Sequence, residues 1–390
     1  MKKKVIECKV KAIIVAWYDS GTVAELFLKD IMEIFSRMPL QGFLITNSGF
    51  NIINNAKIEK IGIRERNNYQ YRFKLLKFIY VNFLCVYFII KNLSEIDIII
   101  CPLGGISGEY NFVLVLISKI FRKKVIVFHR GGKKPDDFLL IMPDSLLKSI
   151  SYIFLKVIMR IEYKLSDIIV IQSNNIIKYG ALEKFRGKIF ITSARFVNTD
   201  NFISKINISN RPRNVGFVGR LSKEKGILNF LNGIMIILET RKDIRFLIVG
   251  SGPLFSDIKQ FIDERKLYNC IEMVDWIYDT NDLINLLNNL TLLVLPSYTE
   301  GLPGIMVEAM ACGTPVLATP VGAIPDVIRD GETGFIMEEN SPECIARNVM
   351  RALSDPDLEG VAERGRRFVE REFTFEKAVE RWRGILGEIQ

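Results

Sequence analysis

A strand, a tight turn and a short helix between residues 292 and 318 constrain the fold of this chain more than any other stretch. The apolar run at 292–295 predicts a buried strand, and a turn at 298–301 follows it. Pro303 suits the first position of a helix, because its φ is fixed and its missing N–H is not needed there. Gly313 ends the helix, and a second apolar run starts the next strand. Strand, loop, helix and strand in this order form the unit of a parallel sheet.

Two glutamates with seven residues between them, Glu300 and Glu308, carry the chemistry of this unit. Glu300 follows the strand, at the edge where open α/β sheets bind ligands, and Glu308 falls in the second turn of the helix. Between them, a helix N-terminus that attracts phosphate is formed by the backbone of Gly301, Leu302, Pro303 and Gly304. An anion site between two hydroxyl-accepting carboxylates suits a diphosphate between two polyols, as in a sugar nucleotide. The alternative is that both glutamates are solvated surface residues.

The length of 390 residues predicts two domains rather than one core. Apolar runs that indicate parallel strands recur along both halves, at residues 11–17, 96–102, 124–129, 167–173, 215–218, 246–249 and 271–276. A polar, proline-containing stretch at 206–214 predicts the linker. We therefore expect an α/β fold of two doubly wound, Rossmann-like parallel-sheet domains at 1–207 and 208–375. The last residues, 376–390, predict a helix that packs back on the first domain.

Cysteine and histidine usage excludes several kinds of site. Six cysteines are scattered without a C-x-x-C pair, which argues against a zinc ribbon or a disulfide framework and fits a reducing, cytoplasmic compartment. The start of the chain lacks the pattern of a signal peptide. His129 is the single histidine, so a multi-histidine metal site cannot form, and we expect no metal and no cofactor. Its place at a strand end before two glycines suits a ligand contact, whereas a lone histidine is more often structural.

Charge is divided unevenly along the chain. Residues 1–210 carry 32 Lys and Arg against 17 Asp and Glu, a net charge of +15, and residues 211–390 carry 21 against 27, a net charge of −6. The basic half contains no nucleic-acid-binding signature, so an anionic membrane surface or a lipid-linked substrate fits it better than nucleic acid. Basic amphipathic patterns at 69–93 and 139–165 fit a bilayer interface, and ordinary sheet-covering helices explain them equally well.

The stretch around the two glutamates resembles the retaining glycosyltransferases of family 4, also called group 1 glycosyltransferases. The family signature E-G-x-x-x-x-x-x-E-A-M-A-x-G-x-P-V is matched almost letter for letter from Glu300 to Val316. The likeness continues through residues 321–335 and includes a loop of the form G-R-L-x-x-x-K-G at 219–226. It is highly specific in the second half of the chain and thinner in the first half.

The resemblance implies the GT-B arrangement, in which two domains face each other across a cleft, with the sugar donor in the second domain and the acceptor in the first. In that family the basic loop holds the nucleotide diphosphate, which here implicates Gly219, Arg220 and Lys225. Two fixed cations would stabilise the charge that develops on a departing diphosphate without a metal. In the family, mostly backbone atoms contact the base of the nucleotide, and the resemblance implies this contact for Val274.

The resemblance further implies that Glu308 binds the ribose and that Glu300, together with the backbone at 301–304, contacts the donor sugar. His129 would reach the same sugar from the first domain. The implied activity is transfer of a sugar from a nucleoside-diphosphate sugar to a glycan or lipid-linked acceptor in surface polysaccharide or glycoconjugate synthesis, with retention at the anomeric carbon. The catalytic group is then Glu300, His129, Arg220 and Lys225.

Other functions remain open at this point. A catalytically inactive nucleotide-sugar-binding or scaffold protein of the same fold could keep the same binding residues. A GT-B sugar-nucleotide epimerase would share the fold but should not need the paired glutamates. An oxidoreductase would need a full dinucleotide fingerprint, and the G-x-G at 250–252 has no third glycine at the required spacing.

Overall fold

The computed structural model describes residues 10–15, 22–38, 40–47, 58–63, 83, 86–87, 89–103, 112–129, 146–179, 182–192 and 195–389. Two compact units divide the chain: the first comprises Met1–Arg195 with Ala378–Gln390, and the second comprises Phe196–Lys377. The chain therefore passes from one unit to the other twice. Each unit contains its own parallel sheet.

The first unit has a seven-stranded sheet in the order β3-β2-β1-β4-β5-β6-β7. Its strands are β1 (Val10–Val15), β2 (Leu40–Asn47), β3 (Ile58–Ile63), β4 (Ile98–Leu103), β5 (Lys124–His129), β6 (Ile168–Ile171) and β7 (Ile189–Ile191), and all neighbours run parallel. The helices between them are α1 (Thr22–Ser36), α2 (Phe112–Ile120), α3 (Leu146–Leu165) and α4 (Asn175–Tyr179). Strands β5 and β6 are buried almost throughout, as expected for a parallel sheet covered on both faces.

The second unit has a six-stranded sheet in the order β10-β9-β8-β11-β12-β13. Its strands are β8 (Asn214–Val218), β9 (Arg245–Val249), β10 (Ile271–Val274), β11 (Leu292–Leu295), β12 (Val316–Ala318) and β13 (Phe335–Ile336), again all parallel. Its helices are α5 (Ile227–Thr240), α6 (Phe255–Glu264), α7 (Thr280–Asn288), α8 (Gly304–Ala311), α9 (Ile324–Val327), α10 (Pro342–Leu353) and α11 (Leu358–Glu372). Because all strands are parallel, the loops that follow them lie along one edge of the sheet.

The strand–loop–helix–strand unit predicted between residues 292 and 318 is confirmed as β11, α8 and β12. One detail of the prediction is wrong, because α8 begins at Gly304 and Pro303 precedes it with φ −65° and ψ 119°. The fixed φ of proline suits both positions, and the extended ψ places Pro303 at the boundary of the helix. Gly313 has φ +66°, the left-handed conformation that ends the helix as predicted.

The division between the units lies at Arg195, upstream of the predicted boundary at 207. Residues 196–207 pack on the second unit, since the Val197 N–H donates to the Phe373 carbonyl at 2.9 Å and Asn288 Nδ2 donates to the Ile203 carbonyl at 3.0 Å. The polar stretch predicted as the linker is fixed there as well, through the buried guanidinium of Arg211. It donates to the Leu290 carbonyl at 2.9 Å and the Cys312 carbonyl at 2.8 Å, and to Thr314 Oγ1 at 2.7 Å. The Leu290 and Cys312 carbonyls follow the ends of α7 and α8, where no further N–H group of the helix is available to donate to them. Burial lowers the pKa of Arg211 to about 10, still well above neutrality.

Of the two predicted amphipathic segments, 69–93 lies largely outside the described residues, and 139–165 forms α3 from Leu146 onward. Helices α2 and α3 pack against each other on one face of the first sheet. None of the helices in the described part of the chain combines the length and the apolar character needed to cross a bilayer.

The last helix, α12 (Phe375–Gly387), leaves the second unit and packs into the core of the first. Trp382 is fully buried there, with its ring centroid 5.2 Å from that of Phe35 in α1 and 5.8 Å from that of Phe128 in β5. Its indole Nε1 has no hydrogen-bond partner among the described residues. Trp382 therefore contributes through packing of its rings and not through its polar atom.

We expect Trp382→Ala to destabilise the first unit by about 3–5 kcal/mol, because the substitution leaves a large cavity between α1 and β5. Trp382→Phe keeps an aromatic ring and removes the unpartnered N–H, so its cost should be clearly smaller. Urea unfolding followed by circular dichroism measures both variants. Equal midpoints for the alanine variant and the wild type would contradict this account of the core.

Candidate functional site

Three loops of the second unit meet at the carboxyl edge of its sheet, after β8, β11 and β12. The Tyr298 N–H donates to the Glu224 carbonyl at 2.9 Å and so joins the first loop to the second. The Ala323 N–H donates to the Gly301 carbonyl at 2.9 Å and joins the third loop to the second. The paired motifs predicted from sequence, which are far apart in the chain, are therefore neighbours in the fold.

An ion pair between Lys225 and Glu300 lies at the centre of this edge. Lys225 Nζ is 2.6 Å from Glu300 Oε1, and Ser297 Oγ donates to the same oxygen at 2.7 Å. The Glu300 side chain is only 8% exposed and that of Lys225 is 28% exposed. Both bonds use Oε1, and no described residue donates to Oε2. Glu300 is thus held in place through one oxygen and keeps the other as an acceptor.

Two glycines allow the loops to approach this closely. Gly226, directly after Lys225, has φ +69°, and a Cβ there would overlap the Pro296 carbonyl. Gly322, in the loop after β12, has φ +58°, and a Cβ there would overlap the Glu300 carbonyl. Both positions combine a left-handed backbone with a lack of space, so only glycine fits them without strain.

Arg220 is a cation of this edge whose charge no described residue compensates. Its side chain is exposed, and it forms no ion pair or hydrogen bond with any described residue. The loop that carries it is nevertheless fixed: the Gly219 N–H donates to the Val249 carbonyl, and the Leu221 N–H donates to the Ser251 carbonyl, both at 2.9 Å. An ordered loop with an uncompensated guanidinium suits a bidentate contact to a phosphate or carboxylate.

The other predicted residues of the second unit lie on the same edge. Residues 301–304 lead into α8, where the Met306 N–H donates to the Pro303 carbonyl at 3.2 Å and the N–H groups of Gly304 and Ile305 have no intrahelical acceptors by geometry. Glu308 is half-buried in the second turn of α8. Val274 ends β10, and its carbonyl accepts from the Gly250 N–H at 3.0 Å. The predicted residues of this edge therefore comprise two cations, a helix N-terminus and two carboxylates.

Two asparagines that sequence reasoning missed hold the second loop in place. Asn340 Nδ2 donates to the Pro296 carbonyl, and Asn229 Nδ2 donates to the Asn340 carbonyl at 2.6 Å and to the Tyr298 hydroxyl at 2.9 Å. Asn340 stands just before the serine and proline that open α10, where an asparagine indicates a turn. No local pattern distinguishes this contact from an ordinary turn.

His129 belongs to the first unit, at the carboxyl end of β5. It is buried, and its Nδ1 lies 2.6 Å from the hydroxyl of Tyr163 in α3. Burial lowers the pKa of His129 to about 4, so the imidazole is neutral near pH 7. His129 can therefore donate or accept a hydrogen bond but does not supply a positive charge.

Glu162, next to Tyr163, is a buried acid that sequence reasoning also missed. It is fully buried, and neither carboxylate oxygen has a hydrogen-bond partner among the described residues. Burial raises the pKa of Glu162 to about 8, so the neutral acid predominates at pH 7. A polar residue on an amphipathic helix is normally expected to face solvent, and only the packing of α3 on its sheet reveals that this one does not.

No group of three or more His, Cys, Asp and Glu side chains within the described ranges is arranged to hold a metal ion. The expectation that no metal takes part stays a prediction.

A family model described as "Glycosyl transferases group 1" matches residues 198–371. The capsular polysaccharide biosynthesis glycosyltransferase CapM of Staphylococcus aureus is 31% identical over 163 residues, which cover 41% of this chain and 42% of CapM. The N-acetyl-alpha-D-glucosaminyl L-malate synthase of Bacillus anthracis is 32% identical over 151 residues, which cover 38% of this chain and 39% of that enzyme. The chain thus spans less than half of the length of these relatives.

Two solved structures share the fold over nearly the whole chain. HepE of Anabaena, in complex with UDP, aligns with a TM-score of 0.73 at 16% identity and covers 97% of this chain and 100% of HepE. Sucrose-phosphate synthase of Thermosynechococcus elongatus aligns with a TM-score of 0.75 at 17% identity and covers 98% and 99%. At these identities the likeness shows the fold alone. It confirms the predicted GT-B fold class, an α/β fold with two parallel-sheet domains.

The buried acid in α3 gives a prediction for stability against pH. Between pH 4.5 and 8 the folded chain keeps the Glu162 proton and the unfolded chain does not, so stability falls as pH rises through this window. Relative to Glu162→Gln, the wild type should lose at most about 1.4 kcal/mol of unfolding free energy per pH unit.

Urea unfolding at several pH values measures this difference, and the contribution of His129 cancels because both proteins contain it. Glu183→Gln, at an exposed position of the same unit, is the matched control and should run parallel to the wild type. Parallel curves for Glu162→Gln and the wild type would show that the acid is not held neutral.

Proposed function

We propose that this chain, whose residues 198–371 belong to the group 1 glycosyltransferases, transfers a sugar from a nucleoside-diphosphate sugar to a glycan or lipid-linked acceptor. The observation that carries this proposal is the Lys225–Glu300 ion pair, 2.6 Å long, which joins the basic loop and the paired-glutamate loop into one site. A relative favours the same class, since CapM is a glycosyltransferase of capsular polysaccharide biosynthesis.

In this proposal the second unit binds the donor. Arg220 and Lys225 hold the diphosphate, and the N-terminus of α8 adds backbone donors to it. Glu308 accepts from the ribose hydroxyls, and the backbone near Val274 contacts the base. HepE is recorded with UDP and with UDP-glucose, which supports a uridine nucleotide as the first one to try.

Glu300 has the most specific role in the proposed reaction. Its Oε1 is occupied by Lys225 and Ser297, so Oε2 is the oxygen that would accept from a hydroxyl of the donor sugar. In this proposal the ammonium of Lys225, held by Glu300, lies beside the sugar and contacts the phosphate oxygen that leaves. Removing Glu300 would therefore disturb both the sugar and the leaving group.

The proposed chemistry is front-face substitution with retention at the anomeric carbon. The bond from that carbon to the diphosphate oxygen breaks as the bond to the acceptor oxygen forms on the same face, and the acceptor proton passes to the leaving phosphate. Arg220 and Lys225 stabilise the negative charge that develops on the diphosphate. His129, which is neutral, contributes a hydrogen bond to the donor sugar and no charge.

We expect the wild type to release nucleoside diphosphate from one sugar nucleotide, and Glu300→Gln to lower kcat by about 10²–10³. The glutamine keeps the size of the side chain but weakens its hold on Lys225 and its acceptor strength. A coupled assay of diphosphate release over a panel of sugar nucleotides measures both proteins. Glu332→Gln, at an exposed position of the same unit, is the control and should behave as the wild type.

Unchanged turnover in Glu300→Gln would contradict the role of the ion pair. Nucleotide binding without turnover in the wild type, across donors and acceptors, would favour the inactive binding or scaffold protein. Interconversion of the sugar nucleotide without diphosphate release would favour an epimerase.

We also propose that the first unit contacts an anionic membrane that carries the acceptor. Supporting this, α2 and α3 present exposed apolar side chains next to basic ones: Ile120 is 66% exposed and Val157 is 47% exposed, with Arg122 and Arg160 near them in the chain. Interfacial binding has two parts: apolar side chains enter the headgroup region, and neighbouring cations contact anionic lipids.

We expect the protein to sediment with phosphatidylglycerol vesicles at low salt, and Ile120→Ser to weaken this binding because the loss of apolar area lowers interfacial affinity. Ile191→Ser is the matched control, since Ile191 is also exposed in the first unit but lies on β7. Equal binding of the two variants, or complete release of the wild type, would contradict the membrane proposal.

A further inference from the structure

The hydrogen bond between His129 and Tyr163 determines which imidazole nitrogen can serve a ligand. The Tyr163 hydroxyl lies 2.6 Å from His129 Nδ1, and within the described residues it is the one hydrogen-bond partner of the imidazole. A neutral imidazole has one N–H donor and one bare acceptor nitrogen, so the role of Nδ1 fixes that of Nε2. The pair lies wholly inside the first unit.

The hydrogen-bond partners available to the Tyr163 hydroxyl decide between the two neutral tautomers of His129. The Tyr163 side chain is 2% exposed, and no described residue other than His129 bonds to its hydroxyl. If Nδ1 carried the proton, the hydroxyl could only accept from it, and the hydroxyl hydrogen would be buried without an acceptor. If Nδ1 is bare, the hydroxyl donates to it and both groups are satisfied. The second arrangement avoids the cost of an unsatisfied buried donor.

The tyrosine is also rigid enough to fix the orientation of the ring. Its ring centroid is 6.0 Å from that of Phe185, and its backbone carbonyl accepts from Ser166 Oγ at 3.0 Å, near the end of α3. Burial and the neighbouring Glu162 raise the pKa of Tyr163, so the hydroxyl keeps its proton at every working pH. His129 therefore faces a fixed and permanently protonated donor.

We propose that Tyr163 is a positioning residue that holds His129 in the Nε2–H tautomer, so that Nε2–H is the group His129 donates to a hydroxyl oxygen of the donor sugar. The second part of this inference rests on the proposed function, and the first part does not. A neutral donor suits a sugar hydroxyl, whereas a charged imidazolium would also attract the diphosphate. Tyr163 thus selects what His129 can recognise without touching the substrate.

The tautomer is directly measurable because the chain contains one histidine. We would label untagged, ligand-free protein with ¹⁵N-histidine and record long-range ¹H–¹⁵N correlations at pH 7, where one imidazole gives one set of signals. The expected result is a bare Nδ1 and a protonated Nε2 in the wild type.

In Tyr163→Phe the Nδ1 resonance should move, because Nδ1 loses its hydrogen-bond donor. In Tyr87→Phe, the control at an exposed position of the same unit, the Nδ1 resonance should stay unchanged. A protonated Nδ1 in the wild type, or an unmoved resonance in Tyr163→Phe, would overturn the assignment.

Kinetics test the link to the reaction. In His129→Gln the side-chain amide nitrogen can take the position of Nε2, and in His129→Asn it can take that of Nδ1. His129→Gln should therefore retain a higher kcat/KM than His129→Asn, because it keeps a donor at the Nε2 position. Tyr163→Phe should lower kcat/KM by about two- to tenfold in the wild-type background, the size of one neutral hydrogen bond. In the His129→Gln background it should have no further effect, since no imidazole remains to be positioned.

An equal loss in both backgrounds would reduce Tyr163 to a structural role and overturn the proposal. If the wild type turned over no sugar nucleotide, the proposed function would fail, and the spectra would still decide the tautomer. The two failures are therefore distinguishable.

Discussion

The ion pair between Lys225 and Glu300 is the interaction on which the candidate site depends. It joins two loops whose residues are 75 positions apart in the chain, and it does so in a partly buried place. Loss of either partner there leaves a charge poorly solvated, so the pair behaves as one unit. The parallel sheet brings the loops to one edge, and the missing side chains of Gly226 and Gly322 let them touch.

The charge of this site differs from that of the unit that contains it. The second half of the chain carries a net charge of −6, yet the carboxyl edge of its sheet presents Arg220 without a compensating partner among the described residues. Glu300 compensates the charge of Lys225. A diphosphate that binds here would meet the available charge of Arg220 and could also contact Lys225, which links binding of the phosphates to the position of Glu300.

Local patterns in the sequence predicted the parts of the fold that are determined locally. Apolar runs, turn glycines and the proline before α8 gave the strands and the helix around the two glutamates, and the error at Pro303 is one residue. A polar stretch with a proline was interpreted as a linker, because its composition cannot show that Arg211 is buried against the carbonyls of α7 and α8. Contacts between residues that are far apart in sequence determine that this stretch belongs to the second unit.

The same limit applies to the site. The motifs indicated Glu300 and Lys225 as members of one site, but not that they pair, and no pattern indicated Asn340, Tyr163 or Glu162. Asn340 bonds to the Pro296 carbonyl and Tyr163 bonds to His129, and in both cases the partner is distant in sequence. Glu162 is unusual only because it is buried. Side chains that position other side chains have no motif of their own.

The central claim is that the carboxyl edge of the second sheet binds a nucleoside diphosphate, and calorimetric titration with UDP, GDP and ADP tests it most directly. The account predicts that one of the three binds, that Arg220→Ala weakens its affinity by about ten- to hundredfold, and that Lys223→Ala, an exposed lysine of the same loop, leaves it nearly unchanged. Absence of binding for all three nucleotides, or equal affinities of Arg220→Ala and the wild type, would contradict it.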